Sequence, residues 1–156
     1  MKVAVFPGSF DPFTKAHEDL ILRALPLFDQ IHIAIGVNSS KVGMLNPEQR
    51  QQSIKAVFAD EPKIVVEFFK GLTVEYCRKV GAQFILRGLR NSSDLDYENA
   101  IAQNNLLLAP EIESYFLLSR SSMSHISSTI VRDIWKNKGE IKHLVPSGVL
   151  NYISSI

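Results

Sequence analysis

Lys2-Val3-Ala4-Val5-Phe6, followed by Pro7-Gly8-Ser9-Phe10-Asp11-Pro12-Phe13-Thr14-Lys15-Ala16-His17, opens the chain and decides its fold. The run 2–6 reads as a short buried strand, and the turn-forming residues after it end that strand. Residues 17–28 then carry Leu20, Ile21, Ala24, Leu25 and Phe28 at helical spacing. Strand, loop and helix therefore succeed one another within the first 28 residues.

The same alternation continues outward. Residues 31–37, 63–69, 83–86 and 114–118 read as four more strands. Asn46 and Pro47 suit the N-cap and first turn of a helix reaching about residue 59. A third helix spans 73–80, with Gly81 as its stop. Ser93 and Asp96 resemble a capping box before a helix that reaches about residue 109. Ser127 or Ser128 caps a last helix over 130–137, ended by Gly139. Leu106, Leu107 and Leu108 read as core and helix packing. Five strands alternating with helices predict an α/β, doubly wound parallel sheet with helices on both faces. Ligands of such sheets bind beyond the carboxyl ends of the strands, at the switch point.

Bulk properties bound the function. The 156 residues fit a single domain, 1–156, with no linker or repeat to divide it. Seventeen basic and sixteen acidic residues leave a net charge of +1, which excludes a global basic field for nucleic acid. Cys77 is the only cysteine, so no intramolecular disulfide forms and a reducing, cytoplasmic setting is expected. No run approaches a membrane span or a signal peptide, and no His/Cys cluster has zinc-ligand spacing.

The first loop lacks both the Gly-x-Gly-x-x-Gly of dinucleotide binders and the Walker lysine motif. It does place Thr14 and His17 three apart, on one face of a first helical turn whose free N–H groups favour an anion. In isolation such a pair is more often a cap beside a surface histidine.

Three motifs together point further. Gly8-Ser9-Phe10-Asp11-Pro12 with Thr14-Lys15-Ala16-His17 resembles the nucleotidyltransferase signature, usually His-or-Thr, any residue, Gly, His. Ile126-Ser127-Ser128-Thr129-Ile130-Val131-Arg132 is similar to the second signature of that superfamily. Ile85-Leu86-Arg87-Gly88-Leu89-Arg90 with Asp94-Leu95-Asp96-Tyr97-Glu98 resembles a segment typical of phosphopantetheine adenylyltransferases. The likeness covers nearly the whole chain, with the motifs in order. It departs from the family at Ala16, where glycine is usual, and at His125, where an aromatic residue is usual.

The resemblance implies a Rossmann-like nucleotidyltransferase fold and adenylyl transfer from ATP to 4′-phosphopantetheine, without a covalent intermediate. It implies His17, Lys41 and Arg90 as the catalytic group. ATP would meet Ser9, Phe10, His17, Gly88, Leu89, Arg90 and Glu98, together with Met123, Ser124, His125, Ile126, Ser127, Ser128 and Thr129. Ser9, Lys41, Thr73 and Arg87 would hold phosphopantetheine. Mg²⁺ is implied as the companion of ATP, bound through its phosphates rather than by a protein cage. A homo-oligomer, by resemblance a hexamer, is also implied, with neither nucleic acid nor membrane as a partner. The rivals are another nucleotidyltransferase, acting on nicotinamide mononucleotide or using CTP on a polyol phosphate, and a non-catalytic nucleotide-binding module.

Overall fold

The computed structural model describes every residue except Ser39 and Lys41, so the expectation for Lys41 lies outside the described residues. Among the described residues there are five strands: β1 (Val3–Gly8), β2 (Gln30–Gly36), β3 (Ile64–Phe69), β4 (Phe84–Leu89) and β5 (Glu113–Leu118). They form one sheet in the order β3-β2-β1-β4-β5, and every pairing is parallel. The α-helices among these residues are α1 (Lys15–Ala24), α2 (Pro47–Val57), α3 (Thr73–Val80), α4 (Ser92–Leu108), α5 (Ser128–Lys136) and α6 (Ser147–Ser155). This is the doubly wound α/β sheet that the alternation predicts.

Alternate residues of β1 explain why both faces need cover. Ala4 and Phe6 join a large apolar cluster with Leu20 and Ile21 of α1, Ile54 of α2, Val131 of α5 and Val149 and Ile153 of α6. Val3 and Val5 point the other way and pack with Val74, Tyr76 and Cys77 of α3.

The register fixes where a ligand can enter. β1 stays paired with β2 from Val3↔Gln30 to Gly8↔Ile35, but with β4 only at Ala4↔Phe84 and Val5↔Ile85. Beyond that point the two central strands part, and β4 continues against β5 as far as Leu89↔Leu118. A cleft opens between their carboxyl ends.

Several boundaries differ from the reading of the sequence. Pro26 stops α1 early, so the expected helix 17–28 becomes Lys15–Ala24 followed by a 3₁₀ turn over Leu25–Leu27. β4 runs three residues past 86, because Arg87 and Gly88 interrupt the apolar pattern without interrupting the ladder to β5. Asn91, not Ser93, caps α4, its side chain accepting from the Asp94 N–H at 2.9 Å. Gly81 ends α3 as expected, in the left-handed conformation at φ 71°. Helix α6 lies beyond the elements read from the sequence: no side chain caps it, although Val149 and Ile153 are buried on one face.

Leu106, Leu107 and Leu108 are corrected from core to surface, with exposures of 38%, 81% and 52%. Among the residues of α4 only Glu98 is buried, so the helix stands off the body and its apolar run faces outward.

Ile54 has no exposed surface and fills the space between α2 and the sheet. We expect Ile54→Ala to destabilise the fold by about 2–5 kcal/mol, measured by urea unfolding. A loss below about 1 kcal/mol would mean that the cluster collapses around the void.

Candidate active site

Where β1 and β4 part, a cavity of about 280 Å³ is lined by Phe6–Phe10, Ala16, His17, Leu20, Arg87, Gly88, Arg90, Asp94, Glu98, Ser119 and Ile126–Ser128. Two helix N-termini reach it, since Ala16 and His17 lie in the first turn of α1 and Ser127 caps α5. Lys15 N–H donates to the Leu144 carbonyl, His17 N–H to Thr14 Oγ1 and Ile130 N–H to Ser127 Oγ, so it is chiefly the aligned dipoles of the two helices that make this wall favourable to an anion. Arg87 and Arg90 supply the full positive charges.

The first turn of α1 also orients its histidine. Thr14 is the N-cap, and His17 completes a capping box with it. The Thr14 backbone N–H donates to His17 Nδ1 at 3.0 Å, and the His17 N–H donates to Thr14 Oγ1 at 3.4 Å. A backbone amide can only donate, so Nδ1 is the acceptor and the neutral ring carries its proton on Nε2. The rings of Phe6, Phe10 and Phe13 surround it, with centroids 6.1, 5.1 and 5.2 Å away. Burial, with Arg87 and Arg90 nearby, pushes the imidazole pKa down to about 3. The cap and the candidate donor are one and the same arrangement.

A second cavity, of about 260 Å³, lies beside the first and is lined by Pro7, Gly8, Gly36, Phe69, Thr73, Ile85, Arg87, Glu98, Ile101, Ala102, Asn105, Ser114 and Phe116. The shared wall is an ion pair. Arg87 donates to Glu98 through Nε at 2.9 Å and Nη2 at 2.5 Å, and its Nη1 reaches the Pro7 carbonyl at 2.6 Å. Glu98 is only 6% exposed, so it is a buried partner rather than a solvated helix charge. Arg90 is held by Asp94 at 3.0 and 3.2 Å, and these bonds keep the Asp94 carboxyl below its ordinary range.

Most of the expected residues converge here. Ser9, Phe10, His17, Gly88, Arg90, Glu98, Ile126, Ser127 and Ser128 line the first cavity, and Thr73 and Arg87 the second. Others stand apart. Leu89 is buried, and its carbonyl accepts from Ser119. Met123, Ser124 and His125 form a turn ahead of α5, outside the lining of either cavity. Thr129 is exposed and accepts from Arg132. The first two hydroxyls at the start of α5 have protein partners as well: Ser127 caps Ile130 N–H, and Ser128 donates to the Pro12 carbonyl at 2.8 Å. Reading the sequence missed Ile101, Ala102 and Asn105. They follow Glu98 at helical spacing, a signal that was available once Glu98 had been singled out.

Residues 5–134 match the cytidylyltransferase-like family. A phosphopantetheine adenylyltransferase of Flavobacterium psychrophilum is 52% identical over 149 residues, covering 96% of this chain and 98% of the relative. One from Christiangramia forsetii is 52% identical with the same coverage. One from Leptospira biflexa is 48% identical over 94% of this chain and 92% of its own.

We expect the His17 ring to remain neutral from about pH 8 down to about pH 5, with its proton on Nε2. An unfolded histidine takes up a proton near its ordinary 6.5, folded His17 only near 3. Its contribution to stability is therefore complete above about 6.5 and is lost as the pH falls toward 3. Nitrogen NMR of the imidazole checks both points. A ring titrating near 6.5, or protonated on Nδ1, contradicts the geometry.

Proposed function

Because this chain belongs to the cytidylyltransferase-like family and, within it, to the phosphopantetheine adenylyltransferases, we propose that it transfers the adenylyl group of ATP to 4′-phosphopantetheine. The products are dephospho-coenzyme A and pyrophosphate. The observation that carries this reading is the pair of adjoining cavities divided by Arg87 and Glu98. One is walled by helix N-termini and arginines, the other largely by apolar side chains.

The chemistry asks little of a base. A phosphate monoester has a second pKa of about 6 and is largely dianionic at neutral pH, so it attacks the α-phosphorus without deprotonation. The difficulty is to bring two anions into line and to stabilise the charge that develops. Neutral His17 is suited to this, since its Nε2–H offers a hydrogen bond to the developing charge while the proton stays in place. Arg90 and the N-termini of α1 and α5 would hold the triphosphate. Arg87 and Thr73 would hold the acceptor, with Lys41 on its phosphate. The methyl of Ala16 narrows the nucleotide's approach to the first turn of α1.

Mg²⁺ would arrive with ATP and neutralise part of the phosphate charge. The residues present fit such a complex, because Glu98 and Asp94 are both engaged by arginines and leave the phosphate oxygens and water as ligands. Among the described residues no three His, Cys, Asp or Glu side chains gather as a metal site.

A homo-oligomer is supported by the outer face of α4, where Tyr97, Leu107 and Leu108 are exposed, and the hexamer as its form rests on the family resemblance. No helix among the described residues is long and apolar enough to cross a membrane. The single buried thiol, Cys77, suits a reducing cytoplasm.

The deciding experiment is pyrophosphate release from ATP with phosphopantetheine, nicotinamide mononucleotide or glycerol 3-phosphate as separate acceptors. Release with phosphopantetheine alone is expected, and release only with another acceptor would overturn the reading. His17→Ala should lower kcat by about 10²–10³ with a much smaller change in ATP affinity. Near-normal turnover would remove His17 from the mechanism. Leu107→Glu should shift the mass in light scattering to a smaller species, and an unchanged mass would exclude this face as the contact.

A further inference from the structure

The loop after β1 is tied to the rest of the molecule through one carboxylate. Asp11 is 5% exposed and Arg50, on α2, is 9% exposed. Asp11 Oδ2 accepts from the Met44 N–H at 2.9 Å, and Oδ1 accepts from the Leu45 N–H at 2.8 Å. Arg50 Nε lies 3.5 Å from Oδ1 and donates to the Leu45 carbonyl at 2.9 Å, while Nη1 reaches the Ser9 carbonyl at 3.4 Å. From the other side, Arg132 Nη1 donates to the Asp11 carbonyl at 2.9 Å. Three separate parts of the chain thus meet on residues 9–11.

Gly43 belongs to the same arrangement. A β-carbon at that position would overlap Arg50 Nη2 and Asp11 Oδ2, so any side chain there has to push the pair aside. Neither Asp11 nor Arg50 lines the two cavities described above. A buried ion pair adds little net stability against apolar packing of the same volume, but its geometry is demanding, because each unmade bond is costly.

We propose that Asp11, with Arg50 and Gly43, is a positioning device that fixes the loop bearing Ser9 against residues 43–45, the anchor of the segment between β2 and α2. It sets the distance between the groups that hold ATP and the backbone of residues 43–45, where the segment between β2 and α2 joins α2. This rests on the proposed adenylyl transfer. Each substrate still finds its own cavity when the device is broken, while their mutual alignment is lost. The effect therefore falls on turnover rather than on either affinity.

The test compares wild type with Asp11→Asn and Gly43→Ala. Asparagine keeps one acceptor oxygen but places an amide donor against one of the two N–H groups. Alanine displaces the pair without removing either charge. Calorimetry should give dissociation constants for ATP and for phosphopantetheine within about threefold of wild type, while kcat falls by about 10²-fold. Hydrogen exchange should quicken at the Met44 and Leu45 amides in both variants. Quickened exchange with normal kcat would overturn the proposal, as would affinities for both ligands falling in step with kcat. If Asp11→Asn does not fold, Gly43→Ala decides by the same criteria. Wild-type protein that releases no pyrophosphate with these substrates removes the proposed reaction, and this inference with it. An active wild type whose variants match it removes the inference alone.

Discussion

The parting of β1 from β4 after Val5 and Ile85 is the constraint on which the rest of the structure depends. Strand order reverses about β1, so crossovers leave to opposite faces and a cleft opens beyond the two central strands. Ladder bonds forgone there must be replaced. Arg87 does this for the Pro7 carbonyl while staying bidentate on Glu98, so one side chain both bridges the gap and divides it.

The cleft solves an electrostatic problem with few free charges. Glu98 and Asp94 balance Arg87 and Arg90. Helix N-termini add to the attraction for an anion, with partial charges that bring no proton to lose. His17 follows the same logic, since burial and the neighbouring guanidinium groups keep its ring neutral. A site of this kind attracts anions over a wide pH range and donates hydrogen bonds without becoming an acid itself.

The sequence was legible where one interaction dominated. Apolar runs mark the buried strands, Asn46-Pro47 and Gly81 mark helix ends, and residues from all three motifs line the candidate site. It was illegible where tertiary context overrode local pattern. Arg87 and Gly88 looked like the end of a strand because apolar periodicity stopped, yet pairing with Phe116 and Leu117 carries the strand on. Leu106–Leu108 looked like core because nothing local reveals that Glu98 is the one buried residue of α4. The Asp11–Arg50 pair joins residues far apart in the chain, and neither it nor Arg87–Glu98 bears a periodic mark. Thr14 and His17 were legible in part: cap and chemistry looked like competing explanations, and the capping box unites them.

Helix α4 joins two faces with different obligations. Its inner side presents Glu98, Ile101 and Asn105 to the second cavity, and its outer side presents Tyr97 and Leu107 to the surroundings. A helix transmits tilt and rotation along its length as a stiff rod. Leu107 lies about nine residues and about 13 Å along the axis from Glu98, the carboxylate that restrains Arg87. One stiff element thus carries the partition between the two cavities on its inner side and an apolar surface on its outer side.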